Sequence, residues 1–124
     1  MHITLELPPI TKKNHSQIVW VKGKPLIIPS KQYKAYEKAC GAFLAPLPYS
    51  MINYPINIKC TFYMPTKRRV DLVNLEEAVL DVLVKYGILQ DDNSNIVVSM
   101  DGSRVEYDKE APRTEIEIIK VITG

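Results

Sequence analysis

A chain of 124 residues can build one hydrophobic core but not two, and its apolar runs, within a 46% hydrophobic composition, are too short to span a bilayer. The net charge of +2 hides a division: residues 1–70 hold 11 Lys+Arg against 2 Asp+Glu, and residues 71–124 hold 5 against 12. That split suits a polyanion partner for the first region and cations or basic partners for the second, or else two solvated faces that attract each other.

In chain order, "MHITLELPPI" alternates like a strand over 2–7 and lacks the basic and long apolar regions of a secretory leader, so export is not expected. "PPITKKNHSQ" is a polar, Pro-rich loop carrying Lys12, Lys13 and Asn14. "IVWVKGKPLIIP" gives two short strands around Lys22-Gly23-Lys24, a hairpin in which Trp20 is expected to pack, since aromatic side chains usually bury a large area. Ser30 can cap a helix over about 31–45 with Tyr33, Tyr36, Cys40, Phe43 and Leu44 on its core side and Lys31, Lys34 and Lys38 opposite. The prolines of "APLPYSMINYP" end that helix in a loop, and "INIKCTFYMP" reads as a strand stopping at Pro65. Cys40 and Cys60 have no CxxC spacing and no nearby His to complete a zinc set; they are expected to be reduced and buried, which fits a cytoplasmic location.

Next comes "KRRVDLVNLEEAVLDVLVKYGILQDDNSNIV", residues 67–97. Asp71 stands at the N-cap of a helix running to Tyr86, with Gly87 at the C′ position. Leu72, Leu75, Val79, Val82 and Tyr86 form its core seam, while Asn74, Glu77, Asp81 and Lys85 follow at steps of three, four and four on one polar edge. Asp71 projects near that edge, just after Lys67, Arg68 and Arg69. Taken singly, these residues could be a cap, solvated charges and a strand exit; their conjunction is harder to explain that way.

The "DDNSN" loop at 91–95 places Asp91, Asn93 and Asn95 at alternate positions, as an EF-hand does. Ile96 replaces the required sixth-position Gly, and Gly102 the twelfth-position Glu, which rules that motif out. A plain turn and a hard-cation site both stay open. A strand near 95–100, a turn at Asp101-Gly102, a strand through Val105 and a last strand "TEIEIIKVI" complete the chain. Two main helices among strands, without regular βαβ alternation, indicate a single α+β domain with a mixed or antiparallel sheet.

The order of basic triplet, Asp, helix and Asp-Asp resembles the RusA family of Holliday junction resolvases, through "LELPPITKKN", Met64-Pro65, "RRVDLVNL" and "GILQDDNSNIV". The resemblance implies a homodimer that resolves four-way DNA junctions by paired symmetric nicks in recombination and repair. It implies Mg²⁺, or Mn²⁺ in its place, and no small-molecule cofactor. Asp71 then matches the first motif aspartate, Asn74 the motif asparagine and Asp92 the second residue of the acidic pair. Two positions depart: Val73 stands where the family has a second aspartate, and Glu77 where it often has a lysine.

Because helical side chains lean toward the N-terminus, Glu77 can present a carboxylate near the space that an aspartate at 73 would use. The expected catalytic and metal set is therefore Asp71, Glu77 and Asp92, with Asp91 as an alternate ligand. Lys67, Arg68, Arg69, Asn74, Lys12, Lys13 and Asn14 are the expected DNA contacts, and Lys22 and Lys24 wider phosphate candidates. His15 is a further possible contact, whereas His2 falls in a strand. Two other functions fit the same residues: a catalytically inactive junction binder, and an interaction domain whose acidic half docks a basic partner.

Overall fold

The computed structural model of the chain describes residues 1–11, 17–28, 31–48 and 51–122, with backbone alone for 17–19 and 27–28. Its elements are β1 (His2–Leu5), β2 (Gln17–Val21), β3 (Lys24–Ile28), α1 (Lys31–Leu44), β4 (Ile56–Met64), α2 (Leu72–Lys85), β5 (Val97–Ser99), β6 (Arg104–Tyr107) and β7 (Arg113–Lys120).

Strict alternation in "INIKCTF" turns Ile56, Ile58, Cys60 and Phe62 to one side of β4, and all four are buried. Ile116 and Ile118 of β7 and Ile3 and Leu5 of β1 continue that apolar face. β7 lies between β1 and β4 and is antiparallel to both. The opposite face pairs Lys59 with Glu117 and Tyr63 with Arg113, all half-buried.

Along the free edge of β4 the expected strand, turn and strand are all present. β5 and β6 do not fold into a hairpin: both lie parallel to β4, β5 beside Ile56 and Asn57 and β6 beside Thr61 to Met64. The jog between them is held by side chains. Asn57 Oδ1 accepts from the Ser99 hydroxyl and from the Asp101 N–H (2.9 Å), while Ser103 Oγ accepts the Cys60 N–H (3.0 Å) and donates to the Ile58 carbonyl (3.3 Å). Ser103 thus takes up β4 backbone groups that a continuous neighbouring strand would have paired. The sheet is mixed and five-stranded, β2 and β3 form a separate two-stranded sheet, and the architecture is α+β.

Both helices close over the apolar face. α1 contributes Tyr33, Tyr36, Cys40 and Leu44, and α2 contributes Leu75, Ala78, Val79, Val82 and Leu83. Phe43, Leu72 and Tyr86, expected in the core, are half-buried at its margin, and Ala78 and Leu83 take core places instead. Ala78 is buried because α1 crosses there: the Tyr33 hydroxyl donates to its carbonyl at 3.4 Å. The crossing is further held by the Lys85–Glu37 ion pair and by Tyr86 Oη donating to the Glu37 carbonyl at 2.8 Å. Cys40 and Cys60 are free and buried, and burial pushes their thiols up to about 11 and about 12. Ser30 lies outside the described residues, and among those described no helix is long and apolar enough to cross a membrane.

Candidate nucleic-acid and metal site

Pro65 ends β4, and the link that follows is exposed from Thr66 through Arg69. Its three cations go different ways. Lys67 Nζ lies 5.3 Å from the ring centroid of Tyr107, the last residue of β6. Arg68 and Arg69 instead line a cleft of about 770 Å³, with Leu7, Tyr36, Ala39 and Met64 among its other walls. Two cations thus border an apolar cleft on the α1 side, and the third sits by an aromatic ring at the sheet edge.

Asp71 follows two residues later. Its backbone is extended (φ −90°, ψ 116°), its Oδ1 accepts the Val73 N–H at 3.0 Å and its carbonyl accepts the Leu75 N–H at 3.1 Å. It is a true N-cap, with an exposed carboxylate at the positive end of the helix dipole. Val73 is 65% exposed, so this departure from the family motif costs the core nothing. Asn74 is half-buried and Glu77 exposed farther along the helix. The adjacent Glu76, which spacing from Leu72 and Val79 places at the edge of the core seam, is half-buried, and burial raises its pKa above the usual carboxyl range. Sequence reasoning passed over it.

At its other end, α2 closes in a Schellman motif. Gly87 (φ +74°) donates to the Val84 carbonyl at 3.1 Å and Ile88 to the Leu83 carbonyl at 3.0 Å. Ile52 then clasps the chain, donating to the Ile88 carbonyl and accepting from the Gln90 N–H, both at 2.9 Å. Buried Ile96 fixes the far end, so the "DDNSN" loop is held between two anchors.

Within the loop the two aspartates differ. Asp91 turns inward on its own backbone: Oδ1 accepts the Asp92 N–H at 2.7 Å and Oδ2 accepts the Asn93 side-chain amide at 3.0 Å, which hold its pKa below the usual carboxylate range. Asp92 is shifted the opposite way, raised first by burial, then by a side-chain hydrogen bond with Asp91, and last by the charges of Asp91 and Asp81. The helix carboxylate acting on Asp92 is therefore Asp81, which the polar-edge spacing had placed there but which was not counted as a site residue.

Among the described residues, no three or more His, Cys, Asp or Glu side chains are grouped so that they could hold a metal ion. Asp71, Glu77 and Asp92 are accordingly not brought together as a preformed cage, and the acidic neighbours found are Asp91 and Asp92 with Asp81 behind them. The donor chemistry nevertheless fits a hard cation, since Mg²⁺ takes one or two carboxylates and completes its shell with water and substrate phosphates. Lys12, Lys13, Asn14 and His15 lie outside the described residues.

One expectation is corrected outright. Trp20 is not buried: it is 68% exposed, on a hairpin that pairs as a two-stranded sheet of its own.

A search of curated protein sequences found no match. The family model for endodeoxyribonuclease RusA matches residues 6–119, nearly the whole chain, with every element from β2 to β6, the acidic loop and most of β7. The chain belongs to the RusA endodeoxyribonuclease family, and that membership implies endodeoxyribonuclease activity on DNA junctions.

Proposed function

We propose that this chain is a divalent-metal-dependent endodeoxyribonuclease that resolves four-way DNA junctions by paired symmetric nicks, acting as a homodimer. The observation that carries it is the junction of exposed Lys67, Arg68 and Arg69 with an exposed N-cap carboxylate, Asp71, in a chain that also holds Asp91 and Asp92 on a clamped loop. Phosphodiester cleavage needs charge compensation at the phosphate and a base for water.

Lys67, Arg68 and Arg69 supply contacts to the DNA backbone and fix the register of the strand without reading its sequence. A divalent ion, when bound, lowers the pKa of water and offsets charge on the phosphate oxygens. Asp71 and Asp92 would hold it, with Glu77 in place of the motif aspartate that Val73 replaces and Asp91 as an alternate. A two-fold dimer would match the symmetry of the substrate and cut both strands.

The test is cleavage of a labelled synthetic four-way junction, against linear duplex, with Mg²⁺ or Mn²⁺. Wild type should give paired cuts near the crossover and Asp71→Asn none. Glu77→Gln should weaken Mn²⁺ binding measured by calorimetry on the protein–junction complex; unchanged affinity and cleavage would remove Glu77 from the ligand set. Exposed Val73 and the lack of a preformed three-carboxylate group also support a second reading, an inactive junction binder. Junction binding with no cutting at any metal concentration would establish that reading instead.

A further inference from the structure

The β2–β3 hairpin is a two-stranded sheet of its own, antiparallel, with Trp20 opposite Pro25 and Val21 opposite Lys24. Cross-strand partners share a face and neighbours alternate, so Trp20 and Pro25 occupy one face and Val21, Lys24 and Leu26 the other. Both faces are open at this end: Trp20 is 68% exposed, Val21 48% and Leu26 50%. Exposing a tryptophan forgoes one of the largest burial gains available to a side chain.

The tip is equally specific. Lys22 and Gly23 both have positive φ (52° and 76°), the pattern of a two-residue type I′ turn, whose twist matches the strands. A lysine is uncommon in that region, where Asn, Asp or Gly is favoured, and Lys22 sets a cation at the apex with exposed Lys24 next to it. The surrounding stretch, residues 7–36, contains six lysines and no Asp or Glu. The complementary partner is a polyanion. An open aromatic ring flanked by cations on a ribbon is the chemistry that binds unpaired nucleotides, the ring stacking on a base and the ammonium groups meeting the phosphates on either side. Linear duplex keeps its base faces stacked, whereas a four-way junction can present base faces at its crossover.

We infer that the β2–β3 hairpin is a junction-contacting arm: Trp20 stacks on a base exposed at the crossover, and Lys22 and Lys24 engage the adjoining phosphates. The inference rests on the junction-nuclease reading above.

Trp20 is the sole tryptophan, so fluorescence excited selectively at tryptophan, away from the tyrosines, reports this site alone. Full-length Asp71→Asn protein, which leaves the substrate uncut, is titrated with a four-way junction and with linear duplex of the same sequence, with gel mobility shift in parallel. Junction should quench Trp20 over the concentration range in which the shift appears, and duplex should quench it far less. Trp20→Ala should weaken junction binding by about tenfold or more, Trp20→Phe should restore part of it, and duplex binding should change little. A mobility shift without quenching would overturn the arm and leave the nuclease reading standing. Fluorescence that changes with protein concentration alone, and not with junction, would overturn it in favour of contact with a second copy of the chain. No junction binding by either readout would overturn both.

Discussion

Asp71 combines two properties in one side chain, and substitution can separate them. As an N-cap it satisfies an orphan helix donor, which Asn does as well as Asp and Ala does not. Asp71→Ala should therefore lose about 1 kcal/mol of stability, measured by urea unfolding. Asp71→Asn should lose almost none, and both should abolish cleavage. A retained rate in Asp71→Asn would show that the carboxylate serves only as the cap. The acidic pair makes a second prediction with opposite signs at neighbouring positions. For Asp92 the folded pKa is raised, so the native state holds the proton more tightly. Stability then falls as pH rises from the ordinary aspartate value through the raised one, and above it the penalty is complete. Asp92→Asn should accordingly raise the Tm at pH 7 while destroying activity, and the gain should shrink as pH is lowered toward about 4. Asp91, lowered by its loop hydrogen bonds, contributes stability above the ordinary value that is lost as pH falls, so Asp91→Ala should lower the Tm at pH 7. Which aspartate was which could not be read from "DD", because the difference lies in where each carboxylate points.

At the scale of elements, the α1–α2 crossing is set by a glycine. A Cβ on Gly41 would come within 2.9 Å of the Tyr86 hydroxyl and 3.0 Å of its ring, while that hydroxyl is committed to the Glu37 carbonyl at 2.8 Å. Replacing a helical glycine by alanine usually gains roughly 0.5–1 kcal/mol. Here the gain is outweighed by displacing Tyr86, and Gly41→Ala should be destabilising by about 1 kcal/mol. Tyr86→Phe, which removes the hydroxyl, should recover part of that loss in the double variant, as a thermodynamic cycle by urea unfolding would show. If Gly41→Ala stabilised the protein, the two helices would have to be free to part. Tyr86 was assigned to the core seam from its spacing; its half-buried place over Gly41 depends on α1 and lies outside any periodicity of α2. The jog between β5 and β6 is similar. Asp101-Gly102 marks a turn, and Gly102 does have φ +88°, but turn chemistry does not say whether the next strand returns or continues. Asn57 and Ser103, more than forty positions apart, decide it.

For the whole molecule, the charge division becomes a statement about salt. With cations in residues 1–70 meeting phosphates, junction affinity should fall steeply as salt rises. Replacing Lys67, Arg68 and Arg69 together by Ala should reduce the slope of log K against log salt by up to about 2.7, at roughly 0.9 for each phosphate left without its cation. A slope that did not change would place the triplet away from DNA. On the hairpin-arm proposal, changing Lys22 and Lys24 to Ala should reduce it further for the junction.

Much was decided within short stretches of the chain. Asp71 as N-cap, Gly87 as the left-handed C′ residue, the period-two run of β4, the Lys22-Gly23 turn and the family motif from "RRVDLVNL" to "DDNSN" all rest on dihedral preference or spacing over a few residues. The reduced state and burial of Cys40 and Cys60 were legible for the same reason. Tertiary structure alone decided that Trp20 faces water, that β5 and β6 both run parallel to β4, that Arg68 and Arg69 border a cleft while Lys67 leaves it, and that Asp81 acts on Asp92. Those outcomes depend on which surfaces are covered and which charges converge. Burial and electrostatics act through space, between groups whose separation along the chain carries no local signal.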